Sequence, residues 1–575
     1  MKEEWKNWKL LRNLLILGSI LAAIKLIFVD YTLDEEYQIV MSYRQLAGDT
    51  LFGTMWEPHQ TSAFVCAFLM RLFIWVTGGT TGVVIFLRVC TTVIQLLLTV
   101  WVERTLCRVT EKEYAFLISI CYFNIVPKII QIPEFSNLQL WFFTIIILAL
   151  ARYYSLSEES EKGGWKWFLL AGISMALSVL AYPADIVLFP FLLIVILKAG
   201  KKRWRDVWLF CGTCAGCAAI WLSCVLSRVT IEEFFRNIRY IVAFDLTHEL
   251  SGVQEDKLLA IAKDIGTELF LFGISFLIGM LIWQIIRKKA QDAPENMPFW
   301  LGAAVPAVVA SEGIQLIYWL VFQKGYEEPQ IHLLTIALLA AFSWRYADSR
   351  KKILLPCLGG GLLILVAVLY MSDLSFFYAI PHALPGILGA AIVIGFALEN
   401  TLGKRKAKVW ILLLLGSLAF MSVFGKGVVL RAGKTDTNTI LGLGGIMREG
   451  PAAGILTNYM QAYVNDCDYE DFEAYVEEGT DCLIVTNMVG TGGTTPYMFR
   501  DLSVCHFSIV DPTSYDERLL TYWELYPEKV PEVIVVDCWY GQLMEPADNW
   551  IMQYIENDFG YTRVEEGRYV RFYFR

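Results

Sequence analysis

Four carboxylates lie close together just after the first apolar run of the chain. They are Asp30, Asp34, Glu35 and Glu36, all within seven residues. Acids this close repel one another, and the repulsion is tolerable where they meet a cation or take part in proton transfer. The same spacing fits a solvated loop in which Asp34 caps a helix from residue 35 to about residue 48. The local pattern leaves both interpretations open.

The elements that position these acids are membrane helices. The 575-residue chain is 56% hydrophobic and only 18% charged, with a mean hydropathy of +0.49. A soluble protein has roughly 25% charged residues, and only a bilayer can bury so much apolar surface. The net charge of −9 does not indicate a nucleic-acid-binding protein. Cys211, Cys214 and Cys217 stand in an apolar run, which favours packing over a metal site.

The distribution of basic residues predicts the topology. Fourteen apolar runs alternate with loops, and the clearest Lys/Arg clusters fall at 2–12, 198–205, 287–289, 345–352 and 404–408. All of these are cytoplasmic only if one early run does not cross, because cytoplasmic loops carry the positive excess. The short run at 61–77, which contains Arg71, is the best candidate for an interfacial or re-entrant helix. We therefore expect about 13 transmembrane helices, with the N-terminus cytoplasmic.

The C-terminal part changes character near residue 429. Short apolar runs at 483–486 and 533–537 predict strands, and the patterns at 468–478 and 550–558 predict helices. The alternation in 568–574 is typical of an edge strand. We expect a membrane domain over 1–428, with interfacial helices in its first external loop (30–80), and an extracytoplasmic α/β domain over 429–575.

The first external loop resembles that of GT-C membrane glycosyltransferases, and in particular the protein O-mannosyltransferase and aminoarabinose transferase group. Asp34 matches the first acid of an Asp-Glu pair after the first crossing, and Glu35 the second. Glu57-Pro58 matches a later Glu-Pro element, although Pro58-His59-Gln60 replaces the family's Lys and double Pro. A second external loop places Glu134 and Asn137 near the position of a further family acid.

The resemblance implies a GT-C fold and an activity. The donor would be a polyprenyl-phosphate sugar, and the acceptor an extracytoplasmic glycan, lipid or protein. The catalytic residues would be Asp34, as the general base, and Glu35, and attack opposite the phosphate would invert the anomeric carbon. The group does not require a metal, although Asp34 and Glu36 have a spacing that a divalent ion accepts.

Phosphate is a good leaving group that needs only positive charge nearby. The candidate external cations are His59, Lys128, Arg236, Arg239 and Lys324. Arg236 and Arg239 share a face on a helix, as phosphate ligands or as an interfacial anchor. The predicted substrate-binding residues are Glu57, His59, Glu134, Asn137, Arg236 and Arg239.

Other residues leave alternatives open. Asp185 fits a helix cap or a site residue, and His332 and His382 fit hydrogen-bonded packing better than ligation. Glu312 lies inside an apolar run, which suggests function by default. A transporter or flippase of lipid-linked saccharides would need several such intramembrane charges. A non-catalytic membrane scaffold with an external binding domain would make the first-loop acids dispensable.

Overall fold

The computed structural model shows a helical membrane domain joined to a C-terminal α/β domain. It describes residues 2–31, 33–127, 130–154, 164–199, 203–247, 255–289, 298–322, 333–346, 351–372, 374, 376–428, 443–477, 479–485, 504–507, 517–537, 551, 554–555 and 560–575.

The helices of the first half are α1 (Lys2–Phe28), α2 (Leu33–Ala47), α3 (Ala63–Thr77), α4 (Val83–Leu106), α5 (Lys112–Asn124), α6 (Phe135–Tyr154), α7 (Trp165–Ala181), α8 (Leu188–Ala199), α9 (Arg203–Leu226) and α10 (Ile231–Thr247). The remaining helices of the membrane domain are α11 (Glu255–Lys289), α12 (Phe299–Phe322), α13 (Leu333–Ser343), α14 (Lys351–Met371), α15 (Phe376–Ala379), α16 (Leu384–Leu402) and α17 (Lys404–Val428). Short 3₁₀ turns precede α3 (Gln60–Ser62), α8 (Pro183–Val187) and α16 (Ile380–Ala383).

The multi-pass membrane character predicted from composition is confirmed. Eight helices in the described part of the chain are long and apolar enough to cross a bilayer, and three further apolar helices are shorter. The eight are Asn7–Phe28, Gln60–Thr77, Val83–Leu106, Phe135–Tyr154, Trp204–Leu226, Leu258–Lys289, Ile380–Leu402 and Lys404–Gly427. The figure of about 13 crossings stays a prediction.

Two helices form the centre of the bundle. The apolar windows of α6 and α16 are 83% and 94% buried, whereas that of α9 is only 11% buried. A helix at the periphery of the bundle, such as α9, exposes its apolar side chains to lipid. Close packing at the centre depends on glycine: a Cβ at Gly361 in α14 would lie 2.7 Å from the Cα of Gly386 in α16. The two backbones therefore touch where no side chain fits.

The C-terminal domain contains a four-stranded mixed sheet. Its strands are β3 (Cys482–Val485), β4 (Val533–Asp537), β5 (Arg563–Glu566) and β6 (Val570–Phe574), in the order β3-β4-β6-β5. A separate antiparallel pair joins β1 (Gly445–Ile446) to β2 (Leu456–Thr457). β3 and β4 are parallel, and β6 is antiparallel to both of its neighbours.

The strands predicted at 483–486 and 533–537 agree with β3 and β4 over the described residues. The edge-strand prediction for the chain end was wrong, because β6 pairs on both sides and β5 forms the edge. β5 is short, charged and mostly exposed, which suits an edge position. The helix predicted at 468–478 begins earlier, as α18 (Tyr459–Tyr475), and α19 (Glu517–Leu525) was not predicted. Most of the predicted helix at 550–558 lies outside the described residues.

The C-terminal domain rests on the ends of several membrane helices. The amide of Asp30 donates to the carbonyl of Leu456 at 2.9 Å. The amides of Gly82 and Val84, at the start of α4, donate to Gly450 and Pro451 at 3.0 and 3.1 Å. These bonds place the end of α1 and the start of α4 at the same side of the bundle, under this domain.

Candidate active site

Arg88 fixes the start of α2. Its Nε and Nη2 donate to the two carboxylate oxygens of Glu35 at 3.0 and 2.6 Å, and both side chains are buried. The same guanidinium donates to the carbonyls of Ile27, Val29 and Asp30 at 3.2, 3.3 and 2.6 Å. A planar guanidinium with five N–H groups suits such a multiple contact. The segment between residues 30 and 35 is therefore held at both of its ends.

Asp34 lies inside this segment. Its backbone belongs to the first turn of α2, and its side chain is outside the part of the chain that the structure describes. One helical turn later, Gln38 accepts a bond from the Ser62 hydroxyl at 3.0 Å. Ser62 ends the 3₁₀ turn that follows His59. The first turns of α2 therefore lie beside the second polar element that the sequence singled out.

Asp30 is a buried acid at the end of α1. It adopts a positive φ of 65°, where a non-glycine residue is uncommon. One carboxylate oxygen accepts the amide of Tyr31 at 2.8 Å, and the other has no hydrogen-bond partner among the described residues. Burial raises the pKa of Asp30 to about 7, although nearby Arg88 opposes the shift. Asp30 thus changes charge near neutral pH.

Arg44 organises the rest of the first external loop. It is fully buried and donates to Asp49 Oδ2 at 2.7 Å and to Glu57 Oε1 at 3.2 Å. It also donates to the carbonyls of Thr54 and Cys505 at 3.0 and 2.6 Å. Since Cys505 belongs to the C-terminal domain, one side chain of α2 joins the loop to that domain.

Asp49 is bound from both sides of this junction. It accepts from the Thr54 hydroxyl at 2.8 Å, and Lys529 of the C-terminal domain lies 3.2 Å from its Oδ1. Burial works against its ionisation, yet the charges of Arg44 and Lys529 lower the pKa of its carboxyl. Asp49 therefore stays negative and completes the junction.

Trp56 is the aromatic centre of the same junction. It is buried, stacks on Tyr240 of α10 with ring centroids 4.7 Å apart, and meets Tyr522 edge-on at 5.3 Å. Its backbone amide donates to the carbonyl of His506 at 3.0 Å. The loop, α10 and the C-terminal domain therefore share one core, which gives the loop a fixed conformation.

His59 stands on an aromatic surface. Its ring lies parallel to that of Phe135, with centroids 4.2 Å apart, and its centroid is 5.6 Å from that of Tyr182. The ring centroid of Tyr182 is in turn 6.1 Å from that of His382. His59 is only partly buried. It is therefore a partly exposed imidazole beside the start of α6 and the end of α7.

A buried polar chain lies next to these rings. His382 Nδ1 bonds Gln139 Oε1, Gln139 Nε2 donates to Asp185 Oδ1, and the Ser178 hydroxyl donates to Asp185 Oδ2. Burial raises the pKa of Asp185 to about 7, against the effect of its two hydrogen bonds. Because the Gln139 amide nitrogen donates to Asp185, its oxygen faces His382. This fixes Nδ1 of His382 as the donor.

Glu134 and Asn137 hold the second loop in place. The Glu134 carboxylate accepts the amides of Ser136 and Asn137 at 2.9 and 2.8 Å, which caps the start of α6. The Asn137 amide donates to the carbonyls of Ile130 and Ile132 at 2.7 and 2.8 Å. Both side chains are buried and engaged with backbone.

The two arginines of α10 differ. Arg236 donates to Asn237 at 3.1 Å and to the Tyr526 hydroxyl at 3.3 Å, and lies 3.9 Å from Glu233. Arg239 is exposed to solvent. Lys128 and Lys324, the other predicted cations, lie outside the described residues, as does His332.

Three important residues were not predicted. Arg44 and Arg88 each neutralise acids of the first loop, and Gln139 connects two candidate residues far apart in the chain. Arg88 carried a usable signal, since an arginine inside an apolar run needs a partner. Gln139 carried no such signal. Among the described residues no group of three His, Cys, Asp or Glu is close enough to hold a metal ion.

Several solved structures have a similar course of the chain. The oligosaccharyltransferase of Archaeoglobus fulgidus, in a complex with Zn and sulfate, is 11% identical with a TM-score of 0.47, covering 91% of this chain and 68% of that one. ArnT from Cupriavidus metallidurans in the apo state is 10% identical with a TM-score of 0.44, covering 99% and 98%. The same protein bound to undecaprenyl phosphate is 11% identical with a TM-score of 0.44, covering 99% and 98%. No protein-family model and no curated protein matches the sequence.

Proposed function

We propose that this chain is an integral-membrane glycosyltransferase with a GT-C-like architecture. It transfers a sugar from a polyprenyl-phosphate donor to an extracytoplasmic glycan, lipid or protein. The observation that carries the proposal is the double hold of Arg88 on residue 30 and on Glu35. It keeps the acid-bearing first turn of α2 fixed at one end of the helical bundle. A donor whose lipid tail lies in the bilayer would place its phosphate and sugar at this end of the helical bundle.

The proposed reaction is a single displacement. The acceptor hydroxyl gives its proton to the carboxylate of Asp34 while its oxygen attacks the anomeric carbon. The bond from that carbon to the phosphate oxygen breaks, its electron pair leaves with the polyprenyl phosphate, and the configuration inverts. No acid is needed at the leaving group. A rigid support for the base is useful, because small errors in position are costly to the rate.

The leaving phosphate needs a cation, and the site offers few that are accessible. Arg44 and Arg88 are buried and committed to carboxylates and carbonyls. We therefore assign phosphate stabilisation to His59, with Arg236 approaching from α10. Phe135 stacks on one side of the His59 ring, which fixes the position of the imidazole.

Glu35, Glu57, Glu134 and Asn137 act in this proposal by shaping the site. Each is buried, and each has contacts with a guanidinium or with backbone groups. They hold the two external loops in the conformation that would bind the donor and the acceptor. A divalent ion is not part of the proposed step.

The proposed orientation places the C-terminal domain outside the cytoplasm. The basic loops then face the cytoplasm, as membrane insertion favours. α3 is proposed to lie along the outer surface rather than to cross. Support comes from its two ends: the Thr61 hydroxyl donates to Leu180 at 2.6 Å, and Gly82, just after α3, is bonded to Gly450 of the C-terminal domain. Its Cys66 and Met70 share a core with Met447 of that domain.

A flippase of lipid-linked saccharides is the second candidate. Its support is a pair of acids inside the membrane domain, Glu268 in α11 and Glu312 in α12, which are 2% and 5% exposed. The variant pair Glu268→Gln and Glu312→Gln separates the two functions. In a glycosyltransferase both variants keep sugar transfer in detergent. In a flippase they abolish movement of labelled lipid across proteoliposomes while no transfer occurs at all.

The direct test of the proposal is donor consumption by purified protein. A panel of polyprenyl-phosphate sugars is offered with a crude envelope extract as acceptor, and free polyprenyl phosphate is measured. Release that depends on both protein and acceptor supports the transferase. Absence of release with every donor, together with lipid movement in proteoliposomes, would favour the flippase instead.

A further inference from the structure

The two faces of α10 differ, and one of them packs against other parts of the protein. The Asn237 amide donates to the carbonyls of Phe52 and Gly53 at 2.8 and 2.9 Å. Tyr240 stacks on Trp56, and Glu233 accepts the Tyr526 hydroxyl at 2.6 Å. These residues recur at helical spacing along one side. That side joins α10 to the first external loop and the C-terminal domain.

The opposite face is apolar and exposed. Ile231 is 62% exposed, Phe235 60% and Val242 50%. Their spacings of four and seven residues place them in one stripe, about half a turn from Asn237 and Tyr240. Ile238 lies in the same stripe and is partly buried. Large apolar side chains lined up in this way mark a binding surface rather than scattered exposure.

α10 does not qualify as a membrane crossing, yet it emerges directly from one. It has 17 residues, of which Glu232, Glu233, Arg236, Arg239 and Asp245 are ionisable. α9 ends at Leu226, only five residues before Ile231. The exposed side chains near that end of α9 include Ile220 and Leu222, at 68% and 40%. The stripe on α10 therefore begins within a few residues of a candidate membrane span whose end also exposes apolar side chains.

Charged groups flank the apolar stripe of α10. Arg228, in the turn between α9 and α10, is exposed, and Arg239 is exposed on the flank of the stripe. Glu232 is exposed on the same flank, so the two arginines leave a net positive charge there. An amphipathic helix with apolar residues on one side and arginines at its border is typical of a membrane surface.

We propose that α10 lies in the membrane surface, with Ile231, Phe235 and Val242 inserted among the lipids and with Arg228 and Arg239 on anionic headgroups. The occupant of the stripe is thus the bilayer and not another protein. Because the other face of α10 holds Phe52, Gly53 and Trp56, the bilayer sets the height of the first external loop. The inference does not depend on the proposed reaction.

Photo-crosslinking tests this placement. p-Benzoylphenylalanine is put in place of Phe235 or Val242, one position at a time, in full-length protein in phosphatidylcholine nanodiscs with phosphatidylglycerol. Ile220, on the exposed side of α9, is the positive control. Val564, 45% exposed on the edge strand β5 of the C-terminal domain, is the control for general accessibility. Lipid adducts are detected by mass spectrometry of the protein.

The expected result is lipid adducts at 235, 242 and 220 and none at 564. Adducts at 220 without any at 235 and 242 would overturn the proposal, and so would equal labelling at 564. The charge is tested with Arg228→Gln combined with Arg239→Gln. Labelling at 235 should rise with the phosphatidylglycerol fraction in the parent protein, and this dependence should disappear in the double variant. An unchanged dependence would refute the assignment of the two arginines to headgroups.

Discussion

Arg88 and Glu35 form a buried ion pair with two bonds, Nε to Oε1 at 3.0 Å and Nη2 to Oε2 at 2.6 Å. The pair joins α4 to the first turn of α2, next to Asp34. A charge that loses its partner in such a position is left without compensation, which costs about 3–5 kcal/mol. The pair is therefore expected to decide whether the first loop is ordered.

Arg88→Gln and Glu35→Gln should each lower the thermal unfolding temperature strongly in detergent. The double variant should lose less than the sum of the two, because it leaves no unpaired charge. Arg104→Gln, at the exposed end of α4, is the control and should change little. Strictly additive losses would show that the two side chains do not stabilise each other.

Arg44 should hold the C-terminal domain on the membrane domain. Arg44→Lys keeps the charge but cannot reach Asp49, Glu57, Thr54 and Cys505 together. Hydrogen exchange of residues 504–507 and 517–537 should become roughly tenfold faster or more, as expected for loss of a charged hydrogen bond. Arg448→Lys, at an exposed position of the same domain, should leave exchange unchanged. Equal protection in Arg44→Lys would contradict the junction described above.

Asp30 should make stability depend on pH near neutrality. Burial raises the pKa of its carboxyl to about 7, whereas the unfolded chain titrates near 3.8. Between these values the folded protein holds an extra proton, so stability falls as pH rises through the window. The charged groups near this carboxyl are Lys25, Arg88 and Glu35. All three are present both in the parent protein and in a variant changed only at position 30.

Asp30→Asn removes this proton and should flatten the decline in unfolding temperature between pH 5 and pH 7.5. The matched variant Asp466→Asn, in the C-terminal domain, should follow the parent protein. Parallel curves for Asp30→Asn and the parent protein would show that Asp30 is ionised throughout. The range from pH 5 to pH 7.5 covers the pKa of about 7 that burial gives the Asp30 carboxyl.

A substitution of His59 can distinguish a packing role of its ring from a role in binding the donor phosphate. His59→Phe keeps an aromatic ring on Phe135 and should preserve the unfolding temperature. If the imidazole binds the donor phosphate, donor consumption should fall roughly 10- to 100-fold, the range of one charged hydrogen bond. His59→Phe with full activity would reduce His59 to a packing residue.

Strands could be predicted from the sequence where a short run of residues carries the whole pattern. The runs at 483–486 and 533–537 are apolar and β-branched, and they correspond to β3 and β4. β5 was missed because Arg563–Glu566 is charged and exposed and so lacks the pattern of a buried strand. Without β5, the final strand looked like an edge.

The site was harder to predict because its contacts join distant parts of the chain. Gln139 connects Asp185 to His382, and those two residues are separated by nearly two hundred positions. Arg44 reaches the carbonyl of Cys505 in another domain. The acids of the first loop are recognisable from spacing alone, whereas the groups that neutralise them depend on the packing of whole helices.

The most direct test of the central claim is donor consumption by Asp34→Asn, compared with Asp466→Asn as the matched change elsewhere. Asn at position 34 has nearly the same size but cannot accept the acceptor's proton. The account predicts that Asp34→Asn unfolds at the temperature of the parent protein yet loses at least about 100-fold in transfer, in line with loss of a general base. Transfer at the parent rate by a folded Asp34→Asn protein would contradict it.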